Sequence, residues 1–429
     1  MFAAKMDAKN AFLNGKIDTE IFLQQPPGFT HKKYPDYACR LKGNIYGLRQ
    51  SAAIWNKTID AFLRSIGFKA NEADPCIYFC WDGKCLSIIG LHVDDFALSS
   101  DSLERLDWIK SQLSSNFSMT DEGDLTEILG ISIQRDRSNR SISITATAKI
   151  QELIKLSGIP STLLFSTPMG DDLLSIVDCP TKDSTEQIEM SKLPYLALTG
   201  QLLYIMRTIR PEIGFAVKTV CKFNHNPGLK HWNAVQRIIG YLQSTFNYKL
   251  IISPKTDSTK KGKFTLNGLV DADWGGDPDT NKSTTGYSFF LNDSLITWGS
   301  KSQSTVSTSS AHAESIALYH AKCEMLWIRK FLISIGLYDE KTLTPIFCDN
   351  EDVINLTKFN MITPRTKHFD TKMSFVREQV ENFKLDVKQV SGVANVSDIF
   401  TKALGKLKFC SFRDDLGIRL LPESVDIKP

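Results

Sequence analysis

Two separate sets of acidic residues are the side chains of this chain best suited to do chemistry. Asp94 and Asp95 fall between two apolar runs, Leu86 to His92 and Phe96-Ala97-Leu98, the profile of a tight hairpin with two carboxylates at its turn. Asp7 follows a short, mostly apolar stretch near the start. In the second set, Asp271 follows the strand-like run Phe264 to Val270, Glu314 lies on a long helical stretch, Asp349 ends a strand-like run, and Asp398 opens a last helical stretch. Acids gathered from strand ends and helices can hold two metal ions roughly 3.5–4 Å apart for phosphoryl transfer. Mg²⁺, a hard cation, takes oxygen ligands, which makes Asp and Glu the expected residues. Any one of these acids alone also suits a polar turn, a surface position or a helix cap, so the chemistry is carried by the sets.

The elements that must position them follow from periodicity. Residues 1–100 mix short strands and helices, and Ser102 to Phe117 places Leu103, Leu106, Ile109 and Leu113 at helical spacing. Residues 120–250 read as mostly helical, with helices over Leu196 to Thr208, Glu212 to Phe223 and His231 to Ser244. Pro211 suits a first helical turn, and Asn226-Pro227-Gly228 breaks the second helix from the third. Thr256 to Lys263 reads as a linker. Beyond it come strands over Phe264 to Val270, Tyr287 to Leu291 and Leu295 to Trp298, then a helix from Ala311 to Ile335. A strand (Pro345 to Cys348), helices (Glu351 to Lys358 and Thr371 to Glu381), a strand (Lys384 to Val390) and a helix (Ser397 to Leu404) complete a mixed α/β unit.

Several words of the sequence resemble the Pol polyprotein of copia-type LTR retrotransposons. Met6-Asp7-Ala8-Lys9-Asn10-Ala11-Phe12-Leu13-Asn14-Gly15, Gln24-Gln25-Pro26-Pro27-Gly28-Phe29 and Ile45-Tyr46-Gly47-Leu48-Arg49-Gln50-Ser51 are similar to palm motifs of the family's reverse transcriptase. Gly200-Gln201-Leu202-Leu203-Tyr204, His225-Asn226-Pro227 and Tyr241-Leu242 match its thumb and connection. Asp271-Ala272-Asp273-Trp274, Thr284-Thr285-Gly286-Tyr287, Trp298-Gly299-Ser300-Lys301-Ser302-Gln303, Arg365-Thr366-Lys367-His368-Phe369-Asp370 and Ser397-Asp398-Ile399-Phe400-Thr401-Lys402 resemble its ribonuclease H domain.

The resemblance implies a multidomain α+β and α/β protein: a reverse-transcriptase palm over 1–118 (antiparallel sheet with helices), a helical thumb and connection over 119–255, a ribonuclease H-like mixed sheet with flanking helices over 263–404, and a tail over 405–429. It implies Asp7, Asp94 and Asp95 as polymerase metal ligands or their carboxylate supports, and Asp271, Glu314, Asp349 and Asp398 as nuclease ligands, with Asp273 a neighbour. Two Mg²⁺ ions per site are the implied cofactors, with Mn²⁺ as a substitute. Phe12 would stack under the incoming sugar, or else be an ordinary core aromatic, and Gln50 would lie beside the nucleotide. Ser300, Lys301, Gln303 and His368 would touch the hybrid; Lys222, Lys230, Arg237 and Lys249 would touch phosphates or else line a solvated helix face. The implied partners are an RNA–DNA hybrid, an RNA template with DNA primer, and dNTPs if the polymerase works.

The family places a basic fingers subdomain before the Asp7 motif, and this sequence begins almost at Asp7, so the expectation is an impaired polymerase beside a working nuclease. His92, Ala53, His312 and Ala403 depart from the usual Tyr, Arg, Glu and Pro. The competing expectation is a catalytically inactive remnant that acts as a nucleic-acid-binding module.

A net charge of +3 does not announce a nucleic-acid binder. Nine scattered cysteines argue against a disulfide framework; Cys76, Cys80 and Cys85 read as buried or half-buried in a strand. The N-terminus has no signal-peptide core and no apolar run is long enough for a bilayer. The expectation is an intracellular protein, in a cytoplasmic virus-like particle or the nucleus, not secreted and not in a membrane. Nothing in the sequence sets its oligomeric state.

Overall fold

The computed structural model describes residues 1–17, 19–253, 264–358, 370–382 and 384–420. The expected linker therefore lies outside the described residues. The chain divides into two compact units, Met1–Ile128 and Leu129–Pro429.

The first unit is built on a six-stranded antiparallel sheet. Its strands are β1 (Phe2–Ala8), β2 (Ile77–Asp82), β3 (Cys85–His92), β4 (Asp95–Ser100) and β5 (Met119–Asp124), with the short Lys69–Ala70 at one edge. The order runs from that edge through β2, β3, β4 and β1 to β5. Along β4, Phe96, Leu98 and Ser100 are buried and alternate with half-buried residues, the period-2 signature of a strand with one covered face. Helix α1 (Ser51–Ser65) buries Ile54, Trp55, Ile59 and Leu63, and α2 (Leu103–Asn116) buries Leu106, Ile109 and Leu113. These stripes join Met6, Ala8, Phe96 and Leu98 in one core. Cys80 and Cys85 are half-buried, but Cys76 is exposed, because it sits in the turn before β2.

The second unit differs from the expectation in where its strands fall. Residues 119–255 are less helical than the periodicity suggests. Besides β5, they contribute β6 (Ile131–Asp136), β7 (Ser141–Thr145) and β8 (Tyr248–Ile252) around the helices α3 (Thr147–Ser157), α4 (Tyr195–Thr208), α5 (Gly214–Cys221) and α6 (Leu229–Ser244). The runs Ile131-Ser132-Ile133 and Ser141-Ile142-Ser143-Ile144 alternate with period 2, and that pattern prevails.

A further five-stranded sheet contains β9 (Leu266–Asp273), β10 (Thr284–Leu291), β11 (Ser294–Ser302), β12 (Thr344–Cys348) and β13 (Leu385–Gln389) in the order β11-β10-β9-β12-β13. The first three strands form an antiparallel meander, and the last two run parallel to β9. Helix α7 (Ser310–Ser334), capped by Ser309, which accepts from the His312 N–H, packs on β9 and β10, and its Ala313, Ala317 and Ala321 are fully buried. Helices α8 (Glu351–Lys358) and α9 (Asp370–Glu381) complete the layer.

The expected last helix is shorter, a 3₁₀ turn over Val396–Phe400. The residues expected to be a tail form α10 (Lys406–Asp415) and β14 (Ile418–Leu420), and β14 pairs with β8. Phe409, Phe412, Leu416 and Ile418 are buried among the side chains of α4–α6 and with Phe290 of β10, Leu295 of β11 and Phe400 of the 3₁₀ turn. Apolar spacing at 409, 412 and 416 is the helical face that makes this segment part of the core.

Gly286 faces Asp271 across the β9–β10 ladder. A Cβ there would meet Thr401 Cγ2 at 2.6 Å, Phe400 Cβ at 2.9 Å and the Ser397 carbonyl oxygen at 2.9 Å. The missing side chain is what lets the 396–401 turn lie on the strand. Gly286→Ala is therefore expected to destabilise the second unit by about 1–3 kcal/mol through overpacking, read as a lower denaturation midpoint; an unchanged midpoint would refute this packing account.

Candidate active site

In the first unit, β1 and β4 run antiparallel with Asp7 opposite Asp95, and the Ala8 N–H donates to the Asp94 carbonyl at 2.9 Å. Val93 occupies φ 58°, an outlier for a β-branched residue, in the two-residue turn between His92 and Asp95. The Trp55 indole N–H donates to its carbonyl at 2.6 Å, fixing the strained turn to α1. The three acids are half-buried. Burial pushes the Asp7 carboxyl above its usual range, and Asp94 and Asp95 push it further. Lys5 lies 3.3 Å from Asp95 and 3.0 Å from Glu122. Phe12 is half-buried, with its ring 4.8 Å from that of Tyr46, and Gln50 is half-buried at the N-terminus of α1.

The second set is drawn together more tightly. Asp271 near the end of β9, Asp349 just past β12 and Asp398 in the 3₁₀ turn each offer a carboxylate oxygen, and these oxygens lie within 4.8 Å of one another. Glu314, on the second turn of α7, joins through a group with Cys348 and Asp349 of the same spacing. Among the described residues these are the three-donor groups of that kind, and Asp7, Asp94 and Asp95 do not form one.

Each acid is held by a named contact. The Ala272 N–H donates to Glu314 Oε1 at 3.0 Å, and the Thr401 hydroxyl donates a short hydrogen bond to Asp271 Oδ2. The buried Asn395 donates to the Val270 carbonyl at 2.8 Å and accepts from the Ser397 N–H, so it pins the Asp398 turn beside Asp271. Lys402 reaches Asp398 Oδ1 at 3.0 Å and Asp271 Oδ2 at 3.7 Å; Lys408 of α10 reaches Asp398 Oδ2 at 2.5 Å.

The electrostatics are those of anions confined together. Burial pushes the Asp271 carboxyl up to about 7; Lys402 pulls it down and Asp398 adds to the rise. Burial, then Asp271 and Asp349, hold Glu314 well above the usual carboxylate range, and burial and Asp398 raise Asp349. Like charges that cannot all ionise unaided suit a divalent cation with oxygen ligands. Asp271, Glu314, Asp349 and Asp398 fit such a metal by donor chemistry and spacing. Asp273 is outside the group; it packs where a Cβ of Gly276 would stand, 1.6 Å from Asp273 Oδ2.

Of the residues expected at a hybrid, Lys301 is exposed on β11. Gln303 is not available: it is 2% exposed, and its amide donates to Thr285 Oγ1 and to the Ala313 carbonyl. Ser300 is also turned inward, its hydroxyl donating to the Phe400 carbonyl at 2.6 Å. His368 lies outside the described residues. The cations expected at phosphates are engaged within the protein: Lys222 with Asp277 and Asp279, Lys230 with Asp178 and the Leu173 carbonyl, Arg237 with Thr167, and Lys249 with Gln134. Asn395, Thr401, Lys402 and Lys408 carry no role in the sequence reading. Lys402, four residues past Asp398 on one side of a turn, and Asn395, a cap residue just before it, had a local signal; Lys408 had none.

Lys218 of α5 donates to Thr284 Oγ1 at 2.7 Å. Burial, and then Lys222, pull its ammonium down to about 8. Between about pH 8 and 10 the unfolded chain binds a proton that the folded chain does not, so this group makes stability rise with pH over that window. Lys218→Met is expected to remove that rise and to stabilise the protein at pH 7 by about 1–2 kcal/mol, discounted because the group is half-buried. Denaturant titrations at pH 7 and 9.5 check both; a variant that keeps the rise would assign it elsewhere.

Residues 2–170 match the family model described as reverse transcriptase (RNA-dependent DNA polymerase). The chain is 34% identical over 407 residues to the retrovirus-related Pol polyprotein from transposon TNT 1-94 of Nicotiana tabacum, covering 94% of this chain and 30% of that polyprotein. It is 31% identical to a putative transposon Ty5-1 protein of Saccharomyces cerevisiae, covering 69% of this chain and 92% of that protein. The chain thus spans under a third of the polyprotein. Among solved structures, LC11-RNase H1 in complex with RNA/DNA hybrid matches 32% of this chain and 94% of its own at 14% identity and a TM-score of 0.25. The foamy viral protease-reverse transcriptase in complex with dsDNA matches 91% and 68% at 12% identity and a TM-score of 0.21.

Proposed function

Because this chain belongs to the Pol polyprotein family of copia-type retrotransposons, we propose that its second unit is a metal-dependent nuclease that cleaves the RNA strand of RNA–DNA hybrids. The observation that carries this reading is the convergence of Asp271, Asp349 and Asp398 within 4.8 Å, with Glu314 adjoining them through Asp349. Two Mg²⁺ ions, or Mn²⁺ in their place, would supply an activated water for in-line attack on phosphorus and stabilise the leaving 3′ oxygen. Asp271, Glu314, Asp349 and Asp398 would hold them. Thr401 and Asn395 orient the acids. Lys402 and Lys408 compensate the charge on Asp398 and hold its turn.

For the first unit, the same chemistry at Asp7, Asp94 and Asp95 would extend a DNA primer on an RNA template with dNTPs. We assign it the weaker activity, since these acids do not form a three-donor group and Lys5 pairs with Asp95. We place the protein inside the cell, in a virus-like particle or the nucleus; among the described residues no helix is long and apolar enough to cross a membrane.

The test incubates the chain with Mg²⁺ and a hybrid labelled on its RNA strand, beside single-stranded RNA and duplex DNA. Cleavage confined to the RNA of the hybrid, and abolished by chelation, is expected. No cleavage of the hybrid would favour the alternative, a nucleic-acid-binding remnant.

A further inference from the structure

Trp274 follows Asp271 by three residues, and its side chain is 55% exposed. Tryptophan is highly buried on average, so an indole half in solvent beside a catalytic acid calls for a partner. Its polar edge is already satisfied: Nε1 donates to the Ser307 carbonyl at 3.0 Å. That bond ties the loop after β9 to the loop before α7, the two elements that deliver Asp271 and Glu314. A second stitch runs beside it, from the Gln303 N–H to the Ser283 carbonyl at 2.8 Å, and the Ser307 hydroxyl donates to Gln303 Oε1 at 2.9 Å. The indole is thus fixed in orientation, with an apolar surface left for contact, within roughly 10 Å of Asp271 along the chain.

What surrounds it is specific in chemistry. Val306, 53% exposed, adds apolar surface on the loop that anchors the indole. Ser304 and Thr305 on the same loop, Ser302 at the end of β11 and Thr308, whose hydroxyl lies 3.4 Å from His312 Nδ1, are exposed hydroxyl residues. An apolar surface among hydroxyl donors and acceptors matches the sugar edge of an RNA strand, which presents ribose carbons and 2′-OH groups in a wide, shallow minor groove. It does not match a phosphate track, since Lys301 is the one cation in the run 300–310.

We propose that Trp274 and the hydroxyl-rich loop 302–308 form the binding rim of the nuclease, on which the RNA strand rests its sugar edge beside the phosphate to be cut. The proposal rests on the nuclease reading for its substrate, and makes Trp274 a binding residue.

The test measures binding of a fluorescently labelled RNA–DNA hybrid without divalent metal, so that no cleavage intervenes, and then cleavage kinetics with Mg²⁺. Trp274→Ala is expected to weaken hybrid binding about tenfold and to raise KM correspondingly. Trp274→Phe should recover most of the affinity, and affinity for duplex DNA should change less than affinity for the hybrid. Hybrid affinity unchanged in a Trp274→Ala protein of wild-type melting behaviour would overturn the rim. If Trp274→Ala does not fold, indole quenching by the hybrid decides: a smaller quench in Trp274→Phe than in wild type supports the rim, and an equal quench overturns it. Failure of the nuclease reading would look different, as a wild-type protein that binds the hybrid and leaves it intact.

Discussion

Asp271→Asn is expected to abolish hybrid cleavage while making the metal-free protein more stable. Asp271 is 2% exposed and adjoins Asp349 and Asp398. Its ionised form is disfavoured first by burial, and the Asp398 charge adds to this. Asparagine keeps the shape and can still accept from the Thr401 hydroxyl, but removes one of the crowded charges. With the folded carboxyl at about 7 against 3.8 for an ordinary aspartate, relief at neutral pH should amount to about 1–3 kcal/mol. The same substitution removes one of the carboxylates that would hold the proposed metals, and loss of a metal-borne charge-stabilising group costs on the order of a thousandfold or more in rate. Loss of activity together with a higher melting temperature is the signature of an acid kept for function against stability. Retained cleavage, or a fall in stability, would contradict the assignment.

The second large effect is expected from removing residues 405–429. Phe409, Phe412, Leu416 and Ile418 are buried in the core shared by α4–α6 and the β10–β11 strands. At about 1.5–3 kcal/mol for each such side chain, their loss forfeits about 6–12 kcal/mol, comparable with the entire stability of an ordinary domain, about 5–15 kcal/mol. β14 also leaves the edge of β8, and Asp398 loses Lys408. The shortened chain should show no cooperative unfolding of the second unit and no hybrid cleavage. A truncated protein with a normal melting transition would show that this segment is dispensable, as its reading as a tail implies.

The positions of the acids were legible in the sequence because each stands where local pattern is informative. Asp271 follows an apolar run that becomes β9, Asp349 follows the run that becomes β12, and Glu314 lies on a long helical stretch that becomes α7. The hairpin carrying Asp94 and Asp95 was legible for the same reason. What eluded local reading is what long-range packing decides. Gln303 stands in a run of serines and threonines that reads as solvated, yet it is drawn inside because its amide satisfies Thr285 and the Ala313 carbonyl. Lys408 meets Asp398 only because α10 turns back along the core, and Thr401 meets Asp271 across 130 positions because Gly286 leaves the room. The four cations expected at phosphates illustrate the same limit: exposure and charge were readable, but the carboxylates, carbonyls and hydroxyl that engage them belong to distant segments.

If four acids from separate elements seat divalent metal in the second unit, as proposed, metal binding reports it without recourse to turnover. Titrating the chain with Mn²⁺ and following the free ion by electron paramagnetic resonance should show bound ions in wild type. Asp271→Asn should lose at least one of them, while Asp7→Asn should leave that site filled. Equal Mn²⁺ binding by wild type and Asp271→Asn would contradict the account, whatever the fold.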